Sequence, residues 1–280
     1  MVQIITDSAA DFESWELKEM NIDCIPLTVA FGSKEYRDGT SLSKEQFYQL
    51  LLESQDLPQT AQASPKVLMD LFENAHKNGD DAVYICLSSA LSGTCQTAMM
   101  TKNLLDHDTC YVVDGRNATG GQRMLVEYAV RMRDEGKTGA EIVEAVEAFR
   151  DKIVLFACID TLEYLYKGGR ISHTVYKLGT LANIKPIITV DADGHIQVPA
   201  KAMGMRKGMD QLCKQLTKRK PDRNFPLYVM YTNNKDVARE LCKYLEAAGW
   251  QIPEERIIQV GAAIGTHIGP DACGLVYAAE

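Results

Sequence analysis

The side chains in this sequence that could bind or transform a small molecule gather in a few short polar runs, most of them directly after apolar stretches. Thr6-Asp7-Ser8-Ala9-Ala10-Asp11 is the first; Asp and Ser favour helix starts and Asx-turns, so it reads as a cap as readily as a site. In Thr60-Ala61-Gln62-Ala63-Ser64-Pro65, Ser64 suits the N-cap of a helix with Pro65 at its first position. Thr60 lies too far upstream to cap that helix, so its hydroxyl needs another use. Ser88-Ser89-Ala90-Leu91-Ser92-Gly93-Thr94 stands before a long helix. Small hydroxyl residues and a Gly at a helix N-terminus make an anion site, because unpaired N–H groups and the positive end of the dipole point outward. A plain capped turn has the same composition. Gly261-Ala262-Ala263-Ile264-Gly265-Thr266-His267-Ile268-Gly269-Pro270 sets His267 among apolar residues, with glycines at a spacing of four that permit close backbone approach. A His there is either a satisfied core residue or a ligand group. Tyr166-Lys167-Gly168-Gly169-Arg170-Ile171-Ser172 displays two cations on a Gly-Gly hinge, which suits a carboxylate or phosphate as well as an ordinary turn.

The usual catalytic signatures are missing. Gly136-Lys137-Thr138 ends like a P-loop, but Arg131 stands where the upstream Gly is required and the segment follows a helix. There is no G-x-S-x-G elbow, no H-E-x-x-H, no G-x-G-x-x-G and no regular metal-ligand spacing.

The elements that position these runs alternate. Strands are expected at 2–6, 22–31, 82–88, 109–113, 153–159, 226–231, 256–262 and 273–278. Helices are expected at 13–20, 43–54, 65–77, 92–105, 117–135, 139–150, 174–183, 204–219 and 235–248. Ser43 with Gln46 forms a capping box. Alternation of this kind predicts an α/β fold with mostly parallel sheets, whose ligands bind beyond the carboxyl ends of strands. Residues 185–200 break the rhythm and read as a hairpin around Asp193-Gly194. The length of 280 residues suits two lobes, 1–150 and 151–280.

Composition narrows the function. The net charge of −8 argues against a nucleic-acid partner. The basic stretch 206–223 is either a solvated helix face or a docking surface. No run approaches the roughly 20 apolar residues of a membrane span, and the start lacks a signal peptide. The eight cysteines, none in a C-x-x-C pair, read as reduced core residues. A cytoplasmic, soluble protein is expected.

Taken together and in order, the runs TDSAAD at 6–11, TAQASP at 60–65, SSALSGTCQ at 88–96, LEYLYKGGRIS at 162–172, the Lys185-Pro186 strand entry, Arg206 and GTHIGP at 265–270 resemble the DegV family of bacterial fatty-acid-binding proteins, which includes the binding subunits of the fatty acid kinase system. The resemblance covers residues 3 to 279. It implies two α/β lobes with a ligand tunnel between them. It also implies a long-chain fatty acid such as palmitate or oleate, held by Thr60 and Ser92 with His267 nearby. Gly93 and Thr94 belong to the same binding set. Arg170 and Arg206 carry over as positions near the head group or the kinase-facing surface. No cofactor or metal is implied, and a separate kinase would be the partner.

The physics agrees with such a shell, since a carboxylate in a dry pocket costs several kcal/mol unless hydrogen-bonded. The acyl chain contributes about 0.8 kcal/mol per buried CH₂. Two departures stand out: Ala61 and Ala63 replace a Ser and a Pro of the usual second motif, and Asp271 replaces a Gly after Pro270. The favoured reading is a carrier without enzymatic activity of its own. An enzyme using Ser92 or His267 on a small carbonyl or acyl substrate, and an interaction module docking through 206–223, are the alternatives.

Overall fold

A computed structural model describes residues 1–105, 107–177 and 183–280. The chain runs β1 (Val2–Asp7), α1 (Ser14–Glu19), β2 (Ile22–Ile25), β3 (Thr28–Phe31), β4 (Lys34–Arg37), α2 (Lys44–Glu53), β5 (Gln59–Ala61), α3 (Pro65–Lys77), β6 (Asp81–Cys86), α4 (Thr94–Leu105), β7 (Cys110–Asp114), α5 (Thr119–Asp134) and α6 (Gly139–Arg150). It continues through β8 (Ile153–Cys158), α7 (Glu163–Lys167), α8 (His173–Lys177), β9 (Ile184–Val190), β10 (Ile196–Met203), α9 (Met205–Lys218), β11 (Tyr228–Tyr231), α10 (Lys235–Ala247), β12 (Ile257–Gln259), α11 (Ala262–Ile268) and β13 (Cys273–Ala278).

Strands β2-β1-β6-β7 form a wholly parallel sheet. Its inner strands are near-continuous apolar runs, as burial on both faces demands; Ala82 to Cys86 are all fully buried. The second sheet, β10-β9-β8-β13-β11-β12, corrects the expectation of mostly parallel strands. Only β11 and β12 pair in parallel, and its other pairings are antiparallel. The fold class is nonetheless α/β. A small antiparallel sheet, β4-β3-β5, sits beside the first.

Helix α5 lies between the two large sheets. Met124, Leu125 and Val126 share one core with Ile4 and Val83 of the first sheet and Leu155 and Val276 of the second. Burial all round matches this central place. Arg123 of the same helix is buried and satisfied by Glu16 of α1, at 3.1 Å from Nη1 to Oε2, and by Glu127 at 2.9 Å; Glu127 also accepts from the Tyr228 hydroxyl at 2.8 Å. A buried guanidinium is tolerable only with such partners.

The expected strand 22–31 is two strands, broken at Pro26, which has no N–H to offer a ladder. The Ser43 capping box forms, with Ser43 accepting from Gln46 N–H at 3.2 Å. Ser64 precedes Pro65 as expected but makes no side-chain capping bond. The hairpin β9–β10 closes through Asp191, whose Oδ1 accepts from the Asp193 and His195 amides at 3.0 and 2.9 Å. Of the helix expected at 174–183, α8 covers the first residues, and 178–182 lie outside the described residues. The expected strand 256–262 stops at Gln259, and Ala262 begins α11 instead. Among the described residues, no helix is long and apolar enough to cross a membrane.

Candidate functional site

Helix α11 has no polar N-cap side chain of its own. Its start is held by carboxylates from elsewhere, Asp11 accepting from the Gly261 amide and Asp38 from Ala262 and Ala263. Its middle lies hard against α2: a Cβ on Gly265 would stand 2.6 Å from Phe47 and 2.7 Å from the Tyr48 hydroxyl oxygen. Its end is forced by Gly269, whose φ of 81° and extended ψ suit glycine alone. This anchoring turns Ala263, Ile264, His267 and Ile268 toward a cavity of about 210 Å³.

Thr60, Gln62, Ser92, Gly93, Arg170 and His267 supply the polar part of the wall, with Leu27, Leu87, Leu91, Ala118, Leu165 and Ile196 among its apolar lining. Thr60, on β5, is 2.9 Å from His267 Nε2 by its hydroxyl. The use its position demanded is therefore a bond to a residue far along the chain. His267 is mostly buried and, with Arg170 adding to the effect of burial, is pushed down to about 3; the imidazole is neutral. Its Nδ1 is buried and has no hydrogen-bond partner among the described residues.

Ser92 is 2.9 Å from the Thr94 hydroxyl and accepts from the Thr94 amide at 3.2 Å. Thr94 Oγ1 in turn accepts from the Ala63 amide at 3.2 Å. Thr94 therefore ties the loop of the second motif to that of the third. When its hydroxyl donates to Ser92, the Ser92 hydrogen is left to point into the cavity. Thr94 itself is fully buried behind the wall. Gly93 is required by close approach, since a Cβ there would meet Gln62 Oε1 at 2.1 Å. Ser92 and Gly93 immediately precede α4, so the positive end of that helix lies at the cavity wall.

Arg170 lines the wall while donating from Nε to the Leu91 carbonyl at 3.0 Å and from Nη1 to the Gly168 carbonyl. Lys167, the other cation of that loop, pairs with Glu163 at 2.5 Å on the surface. Thr60, Arg170 and His267 also face an outer groove of about 530 Å³, which puts the polar cluster between the cavity and the exterior. Inward, Ala118, Ile196, Ile264 and Ile268 are shared with a second, apolar chamber of about 50 Å³, lined by Leu155, Ile188, Met230 and Cys273 among others.

The structure thus brings Thr60, Ser92, Gly93, Thr94, Arg170 and His267 together. Arg206 is not among them. It sits at the start of α9, 85% exposed, with Glu240 at 3.4 Å. Asp271 is not among the residues lining the cavity; it lies in the field of Asp160 and Lys185, where burial first and Asp160 second raise its carboxyl. The positive φ of that turn falls on Gly269 and not on Asp271. Gln62 and the apolar residues of α11 escaped the sequence reading. Positions 263, 264, 267 and 268 have helical spacing, a signal masked by the glycines around them.

Comparison with known proteins gives this cavity a context. The model of the DegV family, described as uncharacterised, matches residues 1–280. A DegV domain-containing protein of Caldanaerobacter subterraneus subsp. tengcongensis is 35% identical over 99% of this chain and 98% of its own. One from Clostridium perfringens is 32% identical over 95% and 93%. Among solved structures, a DegV family protein from Thermus thermophilus, described by its fatty acid binding, matches with a TM-score of 0.89 at 26% identity over 100% of this chain and 99% of that one. A stearic acid-binding protein from Eubacterium ventriosum matches equally well at 25% identity, over 100% and 98%. By sequence along its whole length and by fold, the chain belongs to the DegV family.

Proposed function

We propose that the protein binds one long-chain fatty acid, with the carboxylate at Thr60 and Ser92 and the acyl chain running past Ile196, Ile264 and Ile268 toward the apolar chamber between the two lobes, 1–150 and 151–280. The observation that carries this reading is a polar end and an apolar continuation in one cavity, with the polar end made of ordered hydroxyls and a neutral imidazole. If His267 donates from Nε2 to Thr60, the Thr60 hydrogen is available to the carboxylate, as the Ser92 hydrogen is. Two such bonds to a charged group, the end of α4 and the guanidinium of Arg170 form a shell for a buried anion. Fatty acids bound to solved relatives support the same reading.

The outer groove along Thr60, Arg170 and His267 gives a route to the carboxylate, which suits a carrier that presents its ligand to a separate kinase in the cytoplasm. Arg206 and the exposed Lys207, Lys214 and Lys218 of α9 then form the docking face. An enzymatic reading needs a base within reach of Ser92. Here Ser92 is bonded to Thr94 while His267 is bonded to Thr60, and an imidazole held near 3 is a poor base.

Denaturing the purified protein, extracting with organic solvent and identifying the released lipid by mass spectrometry tests the proposal. A C14–C18 fatty acid near one per chain is expected, and its loss in a Thr60→Ala/Ser92→Ala variant. A protein that yields no lipid and does not bind added oleate would overturn the reading.

A further inference from the structure

Two acids distant in sequence meet beneath the first turn of α11. Asp11 Oδ1 accepts from the Gly261 amide at 2.8 Å, and the two Asp38 oxygens accept from Ala262 at 3.0 Å and Ala263 at 3.1 Å. Both residues are buried, at 2% and 4% exposure. The remaining carboxyl oxygen, Asp11 Oδ2, is buried and makes no geometrically sound hydrogen bond among the described residues, though the Thr119 hydroxyl lies near enough to favour the charged carboxyl. A buried carboxylate oxygen without a donor is relieved by taking up a proton.

Burial favours that proton against most of the surrounding groups, the Thr119 hydroxyl and the Gly261 amide among those that oppose it. Lys44 of α2 opposes it, but its Nζ donates to the Asp11 carbonyl at 3.0 Å and is shared with Glu13 at 2.6 Å. Asp38, following β4, is a like charge, and Asp7 at the end of β1 lies in the same buried region. Cys24 of β2, Tyr48 of α2, Tyr231 of β11 and the Thr119 hydroxyl of α5 complete the surroundings. Burial dominates, and the Asp11 carboxyl is lifted to about 7. His267, at the other end of the helix, stays neutral over the same range.

From Ala262 to His267 the helix rises roughly 8 Å. Like charges set on either side of that helical segment, in a half-buried setting, repel one another. A second negative charge on the acid pair would oppose a carboxylate arriving at His267. By linkage, the arriving carboxylate favours the protonated pair.

We propose that Asp11, paired with Asp38 beneath α11, is a positioning residue that couples capture of the fatty-acid carboxylate to uptake of a proton, so that the ligand is held more tightly below neutral pH than above it. This rests on the fatty-acid reading given above. Asp11 has φ of 60°, a conformation Asn adopts readily, and Asn keeps an acceptor for the Gly261 amide. Asp11→Asn therefore mimics the protonated state with little disturbance.

Oleate binding is measured by calorimetry at pH 6, 7 and 8, in phosphate and in Tris, whose different heats of ionisation reveal proton uptake. The wild type should lose about tenfold in affinity from pH 6 to pH 8 and take up a fraction of a proton at pH 7. Asp11→Asn should bind as the wild type does at pH 6, with no pH dependence and no uptake. A wild type whose affinity is flat overturns the proposal. So does an Asp11→Asn protein that keeps the slope and the uptake, which would assign the proton to another group, Asp38 first among them. Should the variant not fold, the infrared difference spectrum of the wild type on adding oleate at pH 7 decides: a new protonated-carboxyl band supports the coupling, and its absence rejects it. Failure of the wild type to bind oleate at any pH is a different outcome, because it removes the fatty-acid reading itself.

Discussion

Thr94 never reaches the cavity, yet it bonds to both loops that do. Removing its hydroxyl with Thr94→Val leaves Ser92 without its orienting partner. Fatty-acid affinity should fall by roughly three- to tenfold, measured by displacement of a fluorescent fatty acid, with the fold retained. Ser92→Ala and Thr60→Val each delete a hydrogen bond to a charged group, worth about 1.5–3 kcal/mol, so each should weaken binding roughly ten- to a hundredfold. His267 makes a separate prediction. Its folded value of about 3 lies below the ordinary 6.5, so the unfolded chain takes up the proton first. The stability from burying it neutral is complete above about pH 6.5 and is lost as pH falls toward 3. By pH 5 that loss is about 2 kcal/mol, and His267→Gln should remove this component from urea denaturation curves compared at pH 7 and pH 5. Hydroxyls and a Gly before a helix serve a plain capped turn as well as a site, so this cluster was legible in the sequence only when its motifs were taken together and in order. The Thr60–His267 bond was not, since it joins positions 207 residues apart.

At the scale of elements, α11 decides how the cluster is assembled. It was read as a Gly-rich segment because seven residues with three glycines around and within them carry little helical propensity. Tertiary contacts override that propensity: Asp11 and Asp38 satisfy its first amides, and Gly265 lets it lie against α2. The opening TDSAAD run, read as a cap, is partly that, with Asp7 accepting from the Ala9 amide at 3.2 Å. Its last residue also holds the helix that carries His267. Gly265→Ala would press a methyl into Phe47 and Tyr48, an overpacking that costs about 1–3 kcal/mol. Urea denaturation should show that loss, and ligand affinity should fall with it as His267 and Ile264 move.

Across the whole molecule, the α/β class follows from the alternation of apolar runs and amphipathic stretches, but strand direction does not. A run such as Cys273 to Ala278, buried at every position, is apolar whether its neighbours run with it or against it. Its antiparallel pairing with β8 and β11 is set by chain paths that local sequence does not encode. The arrangement around α5 leaves an apolar chamber behind the polar cluster, so affinity should rise about fourfold per methylene from C12 upward, at about 0.8 kcal/mol each, and level off once the chamber is full. Charge reversal at Lys214 and Lys218 should leave this ladder unchanged while lowering kinase-dependent formation of acyl phosphate. The most direct test of the account is a crystal structure of the protein with palmitate or oleate bound. It predicts carboxylate oxygens within hydrogen-bond distance of Thr60 Oγ1 and Ser92 Oγ, with the acyl chain passing Ile264 and Ile268 toward Met230 and Cys273. A carboxylate held away from Thr60 and Ser92, or a chain lying outside this cavity, would contradict it.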